Sequence, residues 1–142
     1  MGARAVQQAI LSGFPDADLA VSLVWVHMLP LDSPLAARLV ARTMRDSRAR
    51  HFYDPNNGIG QAVAQSLGHP GKVAWDIYLF YGTEVRWEDG LPIPACWAHQ
   101  LSSESWIDPT RYHHRDLAQE LAKAMRQMGL VEGGTRVEGS EK

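Results

Sequence analysis

Apolar positions recur along this chain first at helical spacing and then in dense runs. Residues 2–13 (GARAVQQAILSG) carry Val6 and Ile10 ahead of Phe14, a fourfold spacing that draws one apolar stripe along a helix. Gly13 and Pro15 end it. The stretch 19–28 is nearly continuous in apolar residues, the signature of a parallel strand covered on both faces. Ser33 then offers an N-cap and Pro34 a first helical position. The helix they open runs to about Met44, with Leu35, Leu39, Val40 and Met44 expected inward. ARHFYD at 49–54 reads as a short strand leading into a Pro-Asn-Asn-Gly turn. Asn57 is the expected cap of a helix through Leu67, with Ile59, Val63 and Leu67 facing in. Gly68, Pro70 and Gly71 break it.

VAWDIYLFY at 73–81 is dense in β-branched and aromatic residues and predicts a strand. ACWAHQL at 95–101 predicts its hairpin partner. Asp108 and Pro109 are expected to begin a last helix with the stripe Leu117, Leu121, Met125 and Met128, stopped by Gly129. Residues 132–142 are polar and Gly-rich, and a disordered tail is expected there after a single domain at 1–131.

The resulting order, α-β-α-β-α-β-β-α over residues 3–128, resembles the thioredoxin-like superfamily of peroxiredoxin or thiol-disulfide oxidoreductase type. HFYDPNNGIGQAVAQSLG is similar to the peroxiredoxin-type insertion. VWVHMLPLDS, HFYDP, AWDIYLFYG and CWAHQL together resemble an uncharacterised bacterial group of thioredoxin-like proteins. The resemblance implies an α/β fold with a mixed central sheet and helices on both faces, here truncated. Met1 stands where the family carries a redox cysteine at the start of the first helix. Lys72-Val73-Ala74-Trp75-Asp76 holds no proline where the family places its cis-proline, and Pro70 lies too far upstream. The alternative architecture is a small α+β domain in which strand 19–28 pairs directly with strand 73–81.

A length of 142 residues suits one domain with an ordinary core. With 45% hydrophobic and 21% charged residues the composition is that of a soluble globular protein. A net charge of −2 gives no general attraction to nucleic acid or acidic membrane surfaces. No apolar run approaches the roughly 20 residues of a membrane span, and residues at the N-terminus show no apolar h-region with a cleavage site, so export is not expected. The expected compartment is the cytoplasm. Cys96 is the one cysteine, which excludes an internal disulfide and C-x-x-C chemistry within this chain. No cofactor is expected.

Candidate chemistry gathers where the parallel strands end, the usual ligand edge of open α/β sheets. Topology brings His27, Asp76 and His99 toward that edge, with Trp75 and Gln100 beside them. Two imidazoles and a carboxylate suit a divalent transition metal or a shared proton; equally, they are hydrogen-bonded strand ends and a loop cap. Asp76 lies in an apolar strand and needs a partner, because burying an unpaired carboxylate is costly. Cys96 is a reactive thiol if its pKa is lowered, and otherwise a small buried hydrophobe. Arg38, Arg42 and Arg45 share a helix face, followed by Arg48 and Arg50. That stripe would hold an anion or an acidic partner, or serve as a solvated face. His113 and His114 point about 100° apart on a helix and suit the surface. Trp87 and Trp106 lie in loops, as interface residues or as covers of the sheet.

The favoured function is a redox-inactive thioredoxin-like module that binds a protein partner. The alternative is the C-terminal part of a thiol or selenol oxidoreductase whose cysteine motif lies upstream of Met1, and a third possibility is a metal-binding protein using His27, Asp76 and His99. In the resembled fold a strand lies between the counterparts of 19–28 and 73–81. Its absence would leave either a gap one strand spacing wide, ~4.8 Å, or two unpaired strand flanks, and such exposed edges recruit other chains. A homodimer or higher oligomer is expected, through strand edges or the loops of Trp87 and Trp106.

Overall fold

The computed structural model describes residues 2–88, 90–101 and 106–130; the predicted tail at 132–142 lies outside them. Helix α1 (Gly2–Val6) continues as a π-helical stretch over Gln7–Ser12. Strand β1 (Val21–Val26), helix α2 (Pro34–Ala41), strand β2 (Ala49–Asp54) and helix α3 (Gly58–Ser66) follow. The hairpin strands β3 (Ile77–Phe80) and β4 (Cys96–His99) precede helix α4 (Leu117–Gln127). The element order is the one the sequence predicts. Asp108 and Pro109, however, open a separate 3-10 turn that ends at Arg111, so His113 and His114 precede α4 instead of lying in it. No helix among the described residues is long and apolar enough to cross a membrane.

The mixed α/β class holds, but among the described residues the strands do not join in a single central sheet. β1 pairs with β2 in parallel, Val21 opposite Ala49 through Val26 opposite Asp54. β3 pairs with β4 antiparallel, Ile77 opposite His99 through Phe80 opposite Cys96. These are two separate two-stranded sheets. The direct pairing of β1 with β3 foreseen in the alternative architecture is absent as well.

Both sheets lie under the same helices. Phe14 and Leu121 are fully buried and centre a core that includes Val6, Ile10, Leu11, Met44, Leu117 and Met125. Val21 and Leu23 of β1 pack against it, and so do Tyr78 and Phe80 of β3. On the other side α3 brings Val63 and Ala64 against Ala74, Ile77 and Leu79. No residue of β1 or β3 is itself fully buried. Strands sandwiched between helical layers normally form the most enclosed part of an α/β domain; here each has a single hydrogen-bonded neighbour among the described residues, which accounts for its half-exposure.

The predicted caps are only partly as expected. Ser33 Oγ accepts from the Ala36 amide at 3.1 Å, with Pro34 at the first position of α2. At α3 the cap is Asp54, whose carboxylate accepts from Gly58 N at 3.1 Å and Ile59 N at 2.7 Å. Asn57 instead takes a left-handed backbone (φ 58°) and caps nothing. The inward stripe expected of α2 is also corrected. Met44 is buried, but Leu35, Leu39 and Val40 face solvent, because α2 rests on the outer strand β2 and no further layer covers it. Ile59 is exposed on α3 in the same way.

Arg48 closes the structure from inside. Its guanidinium donates to the carbonyls of Leu11 (2.8 Å), Phe14 (2.7 Å) and Ala17 (3.3 Å), tying the end of the first helix to the start of β2. It also pairs with Asp46 at 2.8 Å. Arg48 therefore leaves the predicted solvated stripe. Charged hydrogen bonds contribute about 1.5–3 kcal/mol each when a buried acceptor depends on them. Arg48→Ala is expected to lose about 3 kcal/mol of stability by urea denaturation, with little recovery in Arg48→Lys, since one ammonium cannot span three carbonyls. The Arg48 hydrogen bonds hold the Asp46 carboxyl down to about 2, below its ordinary 3.8. The stabilisation from that pair is complete above pH 3.8 and disappears as pH falls through about 2. Asp46→Asn should flatten the acid limb of the stability curve.

Gly60 is the point of closest approach on the other face. It accepts from the Ala74 amide at 2.9 Å. A Cβ at Gly60 would stand 2.8 Å from the Ala74 carbonyl oxygen and 2.7 Å from Val73 Cγ1. Backbone cannot yield as a flexible side chain does, so Gly60→Ala is expected to cost about 1–3 kcal/mol. An unchanged urea midpoint would show that α3 is not held this tightly.

Candidate functional site

The groups nearest the start of α1 come from the hairpin. In β3 the residues whose backbones bond to β4 share a parity with Asp76, whose carbonyl accepts from Gln100 N at 2.9 Å. Tyr78 follows two residues later and donates its hydroxyl to Gln100 Oε1 at 2.9 Å. Gly2 abuts this pair, and a Cβ there would overlap the Tyr78 hydroxyl. Asp76 takes a left-handed backbone (φ 49°), uncommon for a residue other than glycine and a sign of local strain. Burial pushes the Tyr78 hydroxyl well above the ordinary tyrosine range, and the charge of Asp76 adds to it. Asp76 is exposed as a residue, yet crowding around its carboxyl still pushes that group upward. A phenol and an amide thus meet at a helix start, a pair that can donate to and accept from a polar group, and the Asp76 carboxyl acts on the phenol through its charge.

Asp76 and Gln100 of the predicted edge are therefore together, while the histidines are elsewhere. His27 is exposed and shares a 3.0 Å hydrogen bond with the Tyr53 hydroxyl. His99 is fully buried, and its Nε2 lies 2.8 Å from the Asp108 carbonyl. A carbonyl only accepts, so Nε2 carries the proton. The His99 ring lies beside Trp97 and Tyr112, with centroids 6.1 and 5.8 Å away. Among the described residues no three His, Cys, Asp or Glu side chains come together to hold a metal ion. The set His27, Asp76 and His99 is thus dispersed. Alternation along the strands explains this: Ile77, opposite His99, packs toward α3, whereas Tyr78 packs toward the first helix.

Trp75 is partly exposed beside Asp76. Cys96 is half-buried, and burial pushes its thiol up while Arg111 opposes the shift. A nucleophilic cysteine needs the reverse. Arg111 lies over Trp97, 4.7 Å from the ring centroid. Of the loop tryptophans, Trp106 turns inward to the α3 cluster and meets His69 edge-on, while Trp87 stays largely exposed beside Tyr81.

One group escaped the sequence reading. Trp25 donates to His51 Nδ1 at 3.4 Å and stacks on it, next to the His27–Tyr53 bond. Odd positions of both strands meet on one face because the parallel register sets Leu23 opposite His51 and Trp25 opposite Tyr53. The alternation W-x-H in β1 and H-x-Y in β2 was the available signal.

Tyr78→Phe removes the bond to Gln100 and should cost about 1 kcal/mol in urea denaturation. In the folded protein Tyr78 holds its proton more tightly than its ordinary 10.0, so its contribution is complete below pH 10.0 and declines above it as the unfolded chain ionises. Tyr78→Phe should therefore be less sensitive to alkali than the parent. Equal alkaline slopes would show the hydroxyl to be solvated. Comparison with protein-family models, with curated proteins and with solved structures finds no match to this chain.

Proposed function

We propose that this chain is a thioredoxin-like binding module, redox-inactive as its sequence stands, that works by holding a protein partner. The observation that carries the reading is the uncovered apolar stripe of α2. Leu35 is 66% and Leu39 53% exposed, and Leu31 in the preceding loop is 88% exposed. Leu29 and, on the adjoining strand, Phe52 are also more than half exposed. Scattered exposed leucines are ordinary, but apolar residues concentrated on one helix and its flanking segments mark interaction surfaces. The weak thiol character of Cys96 and the missing cysteine pair support binding over redox chemistry. A second copy of the chain is the simplest partner. Sedimentation is expected to give a homodimer that Leu35→Glu with Leu39→Glu converts to monomer. A monodisperse 15.8 kDa species at micromolar concentration for the parent would count against self-association.

A second reading is the C-terminal part of a thiol or selenol oxidoreductase. It is favoured by Tyr78 and Gln100 around Gly2, with Asp76 bonded to Gln100, because Gly2 follows Met1, the position at which the resembled family carries its cysteine. Translating the DNA upstream of Met1 separates the two. An in-frame strand followed by Cys or by a UGA codon supports the enzyme; a genuine stop and ribosome site support the module.

A further inference from the structure

We infer that β1 and β3 together receive one extended apolar peptide strand donated by a partner polypeptide. The inference builds on the binding-module reading and names what the module takes in.

In a strand, the N–H and C=O of one residue point to one edge and those of the next residue to the other. Val21 N bonds to Arg48 O at 2.8 Å and His27 N to Asp54 O at 3.3 Å, so the odd residues of β1 serve β2. Ser22, Val24 and Val26 consequently turn their backbone groups away from β2. In the hairpin, Asp76 O takes Gln100 N and Phe80 O takes Ala95 N, so the even residues serve β4. Ile77 and Leu79 turn theirs away. None of these five residues has a backbone or side-chain hydrogen bond on that edge among the described residues. The far edge of β4, by contrast, is engaged, since His99 O accepts from His113 N at 2.9 Å.

Two rows of free backbone donors and acceptors thus belong to strands that share one helical cover. Val21, Leu23, Tyr78 and Phe80 pack on the first helix and α4. Ile77 and Leu79 pack on the α3 side, where Val26 also lies close to Gly60. A backbone is the chemistry that satisfies such rows, because it alone repeats donor and acceptor at strand spacing. Helices on both faces require the incoming strand to be apolar on both faces. The six residues of β1 and four of β3 set its length at four to six residues. A folded second copy offering its own sheet edge does not suit, because the helices flank the opening on both sides.

The test uses the whole chain, isotopically labelled, and a panel of lysine-tailed hexapeptides rich in valine, isoleucine and threonine. In the free protein the amides of Ser22, Val24, Val26, Ile77 and Leu79 should exchange with solvent at least tenfold faster than those of Leu23 and Trp25. Saturating peptide should slow these five at least tenfold, and N-methylating alternate peptide amides should weaken binding at least tenfold. Equal protection in the free protein would mean the edges are already paired, by a second copy or by the chain itself, and would overturn the proposal. So would the absence of protection with every peptide, or binding indifferent to N-methylation. If the peptides fail while the α2 glutamate variants still dissociate a dimer, this inference falls and the module reading stands.

Discussion

Isolated two-stranded sheets are marginal in water, and the described residues form two of them with no ladder between. Their common support is the contact of the first helix with α4, centred on Phe14 and Leu121. Burying side chains of that size contributes about 1.5–3 kcal/mol each relative to exposure. That contact fixes where β1 and β3 lie, because Val21 and Leu23 on one side and Tyr78 and Phe80 on the other rest on it. Arg48 extends the same support to β2 by gripping the carbonyls at the end of the first helix.

An assembly organised around helices instead of a sheet places its chemistry accordingly. Polar groups collect where strand ends meet helix ends. Tyr78 and Gln100 stand beside Gly2, and Asp54 holds the first amides of α3. The histidines are absorbed into structure: His99 anchors the 3-10 turn through the Asp108 carbonyl, and His51 stacks under Trp25. Among the described residues, uncommitted backbone lines the edges of β1 and β3 and the outer edge of β2, and apolar surface lies open on α2.

Much of this was legible in the chain because it depended on local periodicity. The stripes Val6–Ile10–Phe14 and Leu117–Leu121–Met125 are buried, and Ser33 and Pro34 open α2 as their chemistry demands. Other features turn on which element lies next to which, and no local pattern carries that. The α2 stripe reads as core, but a helix laid on an outer strand has nothing beyond it to meet. Arg48 sits in a run of arginines that looks solvated, and its three carbonyl partners lie more than thirty residues earlier. The convergence of His27, Asp76 and His99 was drawn from topology, and the alternation of side chains about the strands separates them. Asp54 outcompetes Asn57 as a cap because the turn carries the strand's last carboxylate back over the helix start.

The two halves of the main core come from opposite parts of the chain, residues 6–14 and 117–125. A growing chain on the ribosome therefore exposes the apolar face of its first helix through the synthesis of nearly all that follows. The parallel β1–β2 unit can form in the meantime on the first helix, and α4 completes the floor beneath it. Contacts of such long sequence separation slow folding, since loop closure precedes any gain. Throughout that interval Leu11 and Phe14 lack the α4 side chains that enclose them in the finished domain.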